Sequence, residues 1–226
     1  MQGGARQTGL TLYRGFPCRR HPTFYTFYPP ESSLLSSRVA GSGSVPHLSQ
    51  PLQDEGVLFH LRRQGETSLL AVWLTRRHGV VRTLARGAAK PGSPLKGHLD
   101  LFHECEITWE PSRRTTLHHL KEARVKETHA GLRQSYARLL AATYFAQTIE
   151  QSVEPDSDLE SLHALLRLAL AWLEKKDPHR KLVERFERAV LKQLGADDPR
   201  RSARSLLDDL SHRRPKTHGA LLELLG

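Results

Sequence analysis

Residues 55–87 read EGVLFHLRRQGETSLLAVWLTRRHGVVRTLARG, and this stretch decides the fold. Val57, Phe59 and Leu61 alternate with Leu58, His60 and Arg62. Leu69, Ala71 and Trp73 alternate with Leu70, Val72 and Leu74, and Val81, Thr83 and Ala85 with Arg82, Leu84 and Arg86. Successive strand side chains point to opposite faces, so period-two runs of this length predict three strands. The breaks, Gln64-Gly65-Glu66 and Arg76-Arg77-His78-Gly79, each hold a glycine, which suits tight turns between antiparallel neighbours. Arginines sit at or beside every strand end.

Downstream, Ala88 to Gly97 contains Pro91, Gly92 and Pro94, which exclude a central strand, and Lys90 and Lys96 make it a basic loop. Leu99, Leu101, Cys105, Ile107 and Trp109 then alternate with Asp100, Phe102, Glu104, Glu106 and Thr108, predicting a long fourth strand. Its acids share one face, which is read as solvated and not as a groove for polyanions. Pro111-Ser112-Arg113-Arg114 is a turn, and Thr115 to Lys121 a fifth strand. Five strands in so short a span predict an OB-like Greek-key barrel over residues 54–125, in which closure removes exposed edges.

From about Thr128 the period becomes 3.6, and residues 126–226 read as all-helical. Leu132, Tyr136, Leu139, Leu140, Thr143 and Ala146 share one face of a first helix. Ser157-Asp158-Leu159-Glu160 is a capping box for a second, with Leu162, Leu165, Leu166, Ala169 and Leu173 inward. Asp177-Pro178 reads as cap and first residue of a third, which buries Leu182, Phe186, Ala189, Val190 and Leu194 and stops at Gly195. Asp198-Pro199 repeats the start signal for a fourth helix with Leu206, Leu207 and Leu210, and Thr217 caps a last one. The fold class is therefore α+β, all-β then all-α.

Residues 1–53 are read as a disordered extension or linker. Ser, Gly and Pro crowd the stretch from Ser32 to Gln50, and such composition buries too little apolar surface to offset ordering entropy. Tyr25, Phe27 and Tyr28 form an aromatic cluster within it. No run of about 18 apolar residues marks a membrane span, and no apolar segment marks a secretory signal. The two cysteines, Cys18 and Cys105, lie far apart, so they are read as reduced thiols.

The formal charge is +10, of which residues 1–54 hold +3, residues 55–121 hold +5 and residues 122–226 hold +2. The excess lies on the strands and the tail before them. A basic strand surface concentrates polyanions and makes their binding salt-dependent. The candidate nucleic-acid contacts are Arg62, Arg63, Arg76, Arg77, Arg82, Arg86, Lys90, Lys96, Arg113 and Arg114. OB folds hold single strands with a positive groove and stacking aromatics. Aromatics are few here (Phe59, Trp73, Phe102, Trp109), and Trp73 reads as core, so phosphate contact without base readout is expected.

Catalytic readings fare worse. No Gly-rich phosphate loop is present, and Ser68, His78 and Asp100 lack the context of a nucleophile site. Glu104, Glu106 and Glu110 are the one nuclease-like set of acids, and a solvated strand face accounts for them better. Among the histidines, His118-His119, His98 with His103, and His60 come nearest to ligand spacing. Adjacent strand residues point apart, and no cysteine or carboxylate joins them, so no metal is expected. The alternative to a DNA-binding barrel is an OB-fold RNA-binding module.

The chain also resembles a family. The opening EGVLFHLR, Gly65-Glu66-Thr67-Ser68, Trp73-Leu74-Thr75, His78-Gly79, Leu84-Ala85-Arg86-Gly87-Ala88, and Leu95-Lys96-Gly97-His98-Leu99 with Phe102 stand in the order and spacing of the bacterial RecO recombination mediators. The likeness continues through Leu132-Arg133, Tyr144-Phe145 and Phe186-Glu187-Arg188 to about Gly195. It implies a cytoplasmic, nucleoid-associated DNA repair protein without enzyme activity or cofactor. Such a protein binds single- and double-stranded DNA, anneals complementary strands, and with RecR helps load RecA onto DNA coated by single-stranded DNA-binding protein. It also implies docking of that protein's acidic, phenylalanine-ended tail on the helical domain, with Arg133, Arg138, Leu140 and Tyr144 as candidates. Many members carry a four-cysteine zinc motif after the position matching Gly195. Here Ala196-Asp197-Asp198-Pro199 stands there, without cysteine, so a shorter helical domain without zinc is expected. The family pattern begins near Gln53, so residues 1–51 are expected to be an upstream extension not translated in the cell, with a non-AUG start such as Leu52 or Val45.

Overall fold

The computed structural model describes residues 50–153, 159–211 and 214–226. Five strands, β1 (Leu52–Gln64), β2 (Ser68–Thr75), β3 (Gly79–Ala85), β4 (Glu104–Glu110) and β5 (Leu117–Glu127), close a barrel in the order β1-β2-β3-β5-β4. Only the β3–β5 pairing is parallel; β1 closes the barrel against β4. This is the OB-like barrel expected. Among the described residues five helices follow: α1 (Tyr136–Ser152), α2 (Leu159–Leu173), α3 (Arg180–Gln193), α4 (Ala203–Leu210) and α5 (Thr217–Leu224), with a short 3-10 helix over Ala130–Gln134 before α1.

The barrel interior is filled by Leu58, Trp73, Ile107 and Trp109 with small neighbours such as Ala71, Ala85 and Ala123. Trp73 donates its indole N–H to Thr83 Oγ1 at 2.9 Å, as a buried indole must find a partner. The basic loop after β3 folds Ala88, Leu95 and Leu99 onto this interior. The outer face of β1 and β2 carries Val57, Phe59, Val72 and Leu74, and these belong to the same core as the helices. Strand β2 is apolar on both sides because both sides are covered. The outer face of β1 and β2 thus shares one core with the helices, separate from the core inside the barrel.

Several expected boundaries shift. The alternation of β1 breaks at a bulge between Leu58 and His60. The extra residue returns Leu61 to the interior and leaves His60 and Arg62 on the outer side. Strand β4 starts at Glu104, not Leu99, because Phe102 sits at a left-handed φ of 64°, which ends an extended run and sends its ring toward the helices. Strand β5 runs six residues beyond Lys121, to Glu127, paired with β4.

In the helices, α3 begins at Arg180 with His179 as cap; Asp177 turns instead to Arg138. Helix α4 begins at Ala203 under Ser202, whose hydroxyl accepts from Ser205 N–H. Thr217 opens α5 but spends its hydroxyl on Gln147. Tyr136, expected inward, is 69% exposed at the first turn of α1. Ser157, Asp158 and the aromatic cluster near Tyr25 lie outside the described residues. Gly195 ends α3 in the left-handed conformation expected, φ 67°.

One glycine fixes the junction. A Cβ on Gly131 would lie 2.8 Å from the Glu174 carbonyl oxygen, where backbone meets backbone. Gly131→Ala is expected to lower stability by about 1–3 kcal/mol through overpacking. Urea denaturation followed by tryptophan fluorescence checks it.

Candidate nucleic-acid interface

The ten candidate cations separate into two groups. Arg76 and Arg77 occupy the β2–β3 turn and are engaged by acids. Arg76 pairs with Glu160 on α2, and Arg77 pairs with Asp54 at 3.3 Å and donates to Gln53 O at 3.0 Å. Asp54 is buried beneath this turn and accepts from Arg77 N–H at 2.8 Å and His78 Nδ1 at 2.8 Å. The turn is thus held by a buried carboxylate.

The other cations gather where β1 ends, β2 begins, β3 ends and β5 begins. Arg62 and Arg63 stand exposed at the end of β1. Arg86 follows β3, 3.5 Å from His119 Nε2. The turn bearing Lys90 is tied to the β1–β2 turn by Ala89 N–H donating to Thr67 O at 2.9 Å. Arg113 and Arg114 are exposed in the β4–β5 loop, whose end pairs with β3 from Arg82 onward. Lys96 is exposed in the loop after β3. Among the described residues, Arg62, Arg63, Lys90, Lys96 and Arg114 have no ion-pair partner.

A cleft of about 460 Å³ opens within this second group. Leu61, Leu70, Val72 and Leu117 supply apolar walls, and His60, Arg62, Arg82, Thr116 and Glu150 the polar ones. Glu150, from α1, lies 3.2 Å from His60 Nε2 and 3.5 Å from Arg82. Nothing in the sequence marked Glu150, because its partners lie far away in the chain.

The acidic strand is not a solvated face throughout. Glu104 is buried and pairs with Arg167 of α2 at 2.7 Å, while Glu106 accepts from Gln53 at 2.7 Å. Glu110 pairs with Lys121 at 2.9 Å. These pairings leave no open acid cluster on β4. Of the histidines, His98 donates to Ala123 O and His103 to His98 O, and His118 accepts from Ser112 N–H. A different set, Glu127, His129 and Glu174, brings three potential ligand atoms within 4.8 Å of one another. Glu174 there already accepts from His129 Nδ1 and Gly131 N–H, which makes the group a clamp between barrel and helices.

The four candidates on the helical part do not sit together at the surface. Arg133 pairs with Asp100 at 2.7 Å and remains partly exposed. Arg138 is drawn into the junction by Asp177 and the Glu174 carbonyl. Leu140 and Tyr144 are interior, with the tyrosine hydroxyl donating to buried Glu187.

Asp54 makes the fold pH-sensitive. Burial pushes its carboxyl up, but the hydrogen bonds from His78 and from the Arg77 and Glu55 N–H groups prevail and hold it at about 2, below the usual 3.8. A depressed folded value gives stability that is fully present well above the unfolded value of 3.8 and is lost as pH falls toward 2. The expected loss is about 2 kcal/mol, and Asp54→Asn should remove this part of the acid limb. Denaturation midpoints measured from pH 6 down to pH 2 check it.

Comparison with known proteins agrees with this architecture. Residues 50–129 match the family model described as Recombination protein O N terminal, and residues 133–197 match Recombination protein O C terminal. A DNA repair protein RecO of Cyanothece sp. is 31% identical over 143 residues, covering 63% of this chain and 48% of that protein. The protein of the same name from Gloeobacter violaceus is 34% identical over 122 residues, 53% of this chain and 46% of its own. That of Marinobacter nauticus is 32% identical over 149 residues, 64% and 58% respectively. The chain spans about half the length of the curated relatives it matches. Among the described residues no helix is long and apolar enough to cross a membrane. With both halves matched in order over a five-stranded barrel and its helices, the chain belongs to the RecO family.

Proposed function

We propose that this protein acts in DNA repair as a recombination mediator. It binds single- and double-stranded DNA, anneals complementary strands, and with RecR helps load RecA onto DNA coated by single-stranded DNA-binding protein. The observation that carries this reading is the group of exposed cations, Arg62, Arg63, Arg86 and Lys90, around the β1–β2 turn and the end of β3, on a barrel of the RecO family. Exposed guanidinium and ammonium groups neutralise phosphates and release counterions, so binding is salt-dependent and indifferent to sequence. Holding two strands on one basic surface lowers their mutual repulsion, and annealing follows without a chemical step.

In this reading Arg62, Arg63, Arg82, Arg86, Lys90, Lys96, Arg113 and Arg114 face DNA, while Arg76 and Arg77 contribute chiefly by fixing the β2–β3 turn. The tail of single-stranded DNA-binding protein docks on the helical part. There Arg133, partly exposed and paired with Asp100, offers the cation, and Leu140, Tyr144 and Arg138 support the surface from within. The protein works in the bacterial cytoplasm, at the nucleoid. Fluorescence anisotropy with labelled single-stranded DNA, duplex DNA and RNA of equal length tests the proposal. Salt-dependent binding of both DNA forms supports it. Binding of RNA with DNA left unbound overturns it in favour of an RNA-binding module.

A further inference from the structure

We propose that the cleft between β1, β2, the start of β5 and α1 seats one unstacked nucleotide of a bound single strand, and that Glu150 is an internal carboxylate which the nucleotide's phosphate displaces. The inference rests on the DNA-binding reading above and deepens it. The cleft volume of about 460 Å³ falls within the range of small-ligand sites. Its walls, Leu70, Val72 and Leu117, are aliphatic, and the planar guanidinium groups beside them are Arg62 and Arg82. A base stacks on aliphatic surface and on guanidinium planes where aromatics are missing. Thr116 supplies a polar group for a base edge.

Charge complementarity selects the occupant. The cleft does not end in a single cation. Two guanidinium groups, Arg62 and Arg82, line it, so a ligand carrying more than one negative charge fits the surroundings better than one carboxylate. The single acid within it, Glu150, holds the position where an anion between His60 and Arg82 would sit. Its place on α1 is unfavourable locally. It lies in the last turn of a helix that ends at Ser152, where the helix dipole disfavours negative charge and no basic residue compensates. The cations of the barrel offset this, and an incoming phosphate takes its place.

The test uses the full chain, a labelled oligothymidylate, and methyl-resolved NMR. Glu150→Gln keeps the volume and removes the competing charge; it also relieves the helix end, so folding is retained. Glu122→Gln on β5 is the control of equal charge change, since Glu122 is exposed and its cation, Arg124, lies elsewhere on the surface. The expected result is roughly fivefold tighter single-strand binding for Glu150→Gln and no change for Glu122→Gln, the scale of releasing one partly buried ion pair. Thymidine 5′-monophosphate should shift the Leu70, Val72 and Leu117 methyl signals saturably, and inorganic phosphate at equal concentration should not. If the oligonucleotide binds but those methyls stay still, or if both variants gain equally, the nucleotide seat is overturned while the DNA-binding reading stands. If an acidic peptide ending in phenylalanine shifts the same methyls at lower concentration than the nucleotide, the cleft is a peptide site and the inference falls. If no DNA binds at all, both readings fall.

Discussion

Trp73→Ala is expected to lower stability by about 3–5 kcal/mol, the cost of emptying a large buried aromatic site. Trp73 is fully buried in β2, opposite Leu58 on one side and Val81 on the other. A barrel interior of side chains from five strands has no freedom to collapse inward, because every wall is fixed by its neighbours' hydrogen bonds. The substitution also strips Thr83 of its indole donor. Trp73→Phe keeps most of the volume and loses the hydrogen bond, so a smaller loss of about 1–2 kcal/mol is expected. Urea unfolding of the three proteins separates the two contributions. A Trp73→Ala protein as stable as the parent would contradict the assignment of this side chain to the barrel core.

The second large effect concerns DNA. Replacing Arg62, Arg63, Arg86 and Lys90 together by alanine is expected to weaken single-strand binding on the order of 100-fold at moderate salt, and to flatten the slope of log K against log salt by about 3. Stability should change by less than about 0.5 kcal/mol, because these side chains are exposed and not paired to acids. The contrast is Arg76→Ala with Arg77→Ala. These are arginines of the same kind, but they are engaged by Glu160 and Asp54, so stability should fall while DNA affinity holds within about threefold. Anisotropy titrations at three salt concentrations, with melting curves for each protein, check both halves.

The contrast shows where the sequence was legible. The barrel was legible because β2 and β3 alternate without interruption and their turns hold glycines at the positions that need them. Gly65 and Gly79 do adopt positive φ, 75° and 67°. Strand β4 was overextended because apolar alternation runs on through Leu99 and Leu101, and only a left-handed residue at Phe102 breaks it. Periodicity cannot report a single backbone dihedral. Helix starts were misplaced by two to four residues where a capping serine or histidine stood just beyond an Asp-Pro pair. The sequence reading took the candidate cations as one group, and their division into two was not legible. Arg76 and Arg77 look like Arg62 and Arg63 in one dimension. They differ because Asp54 and Glu160 arrive from other elements. Glu150 and the Arg167–Glu104 pair were invisible for the same reason.

Annealing of coated strands is the decisive measurement for a mediator role. Two complementary oligonucleotides, each covered by single-stranded DNA-binding protein, are mixed with this protein, and duplex formation is followed at low and moderate salt. Annealing is expected to weaken with salt and to be lost when Arg62, Arg63, Arg86 and Lys90 are replaced. Tight binding to bare DNA with no annealing of the coated strands would contradict it.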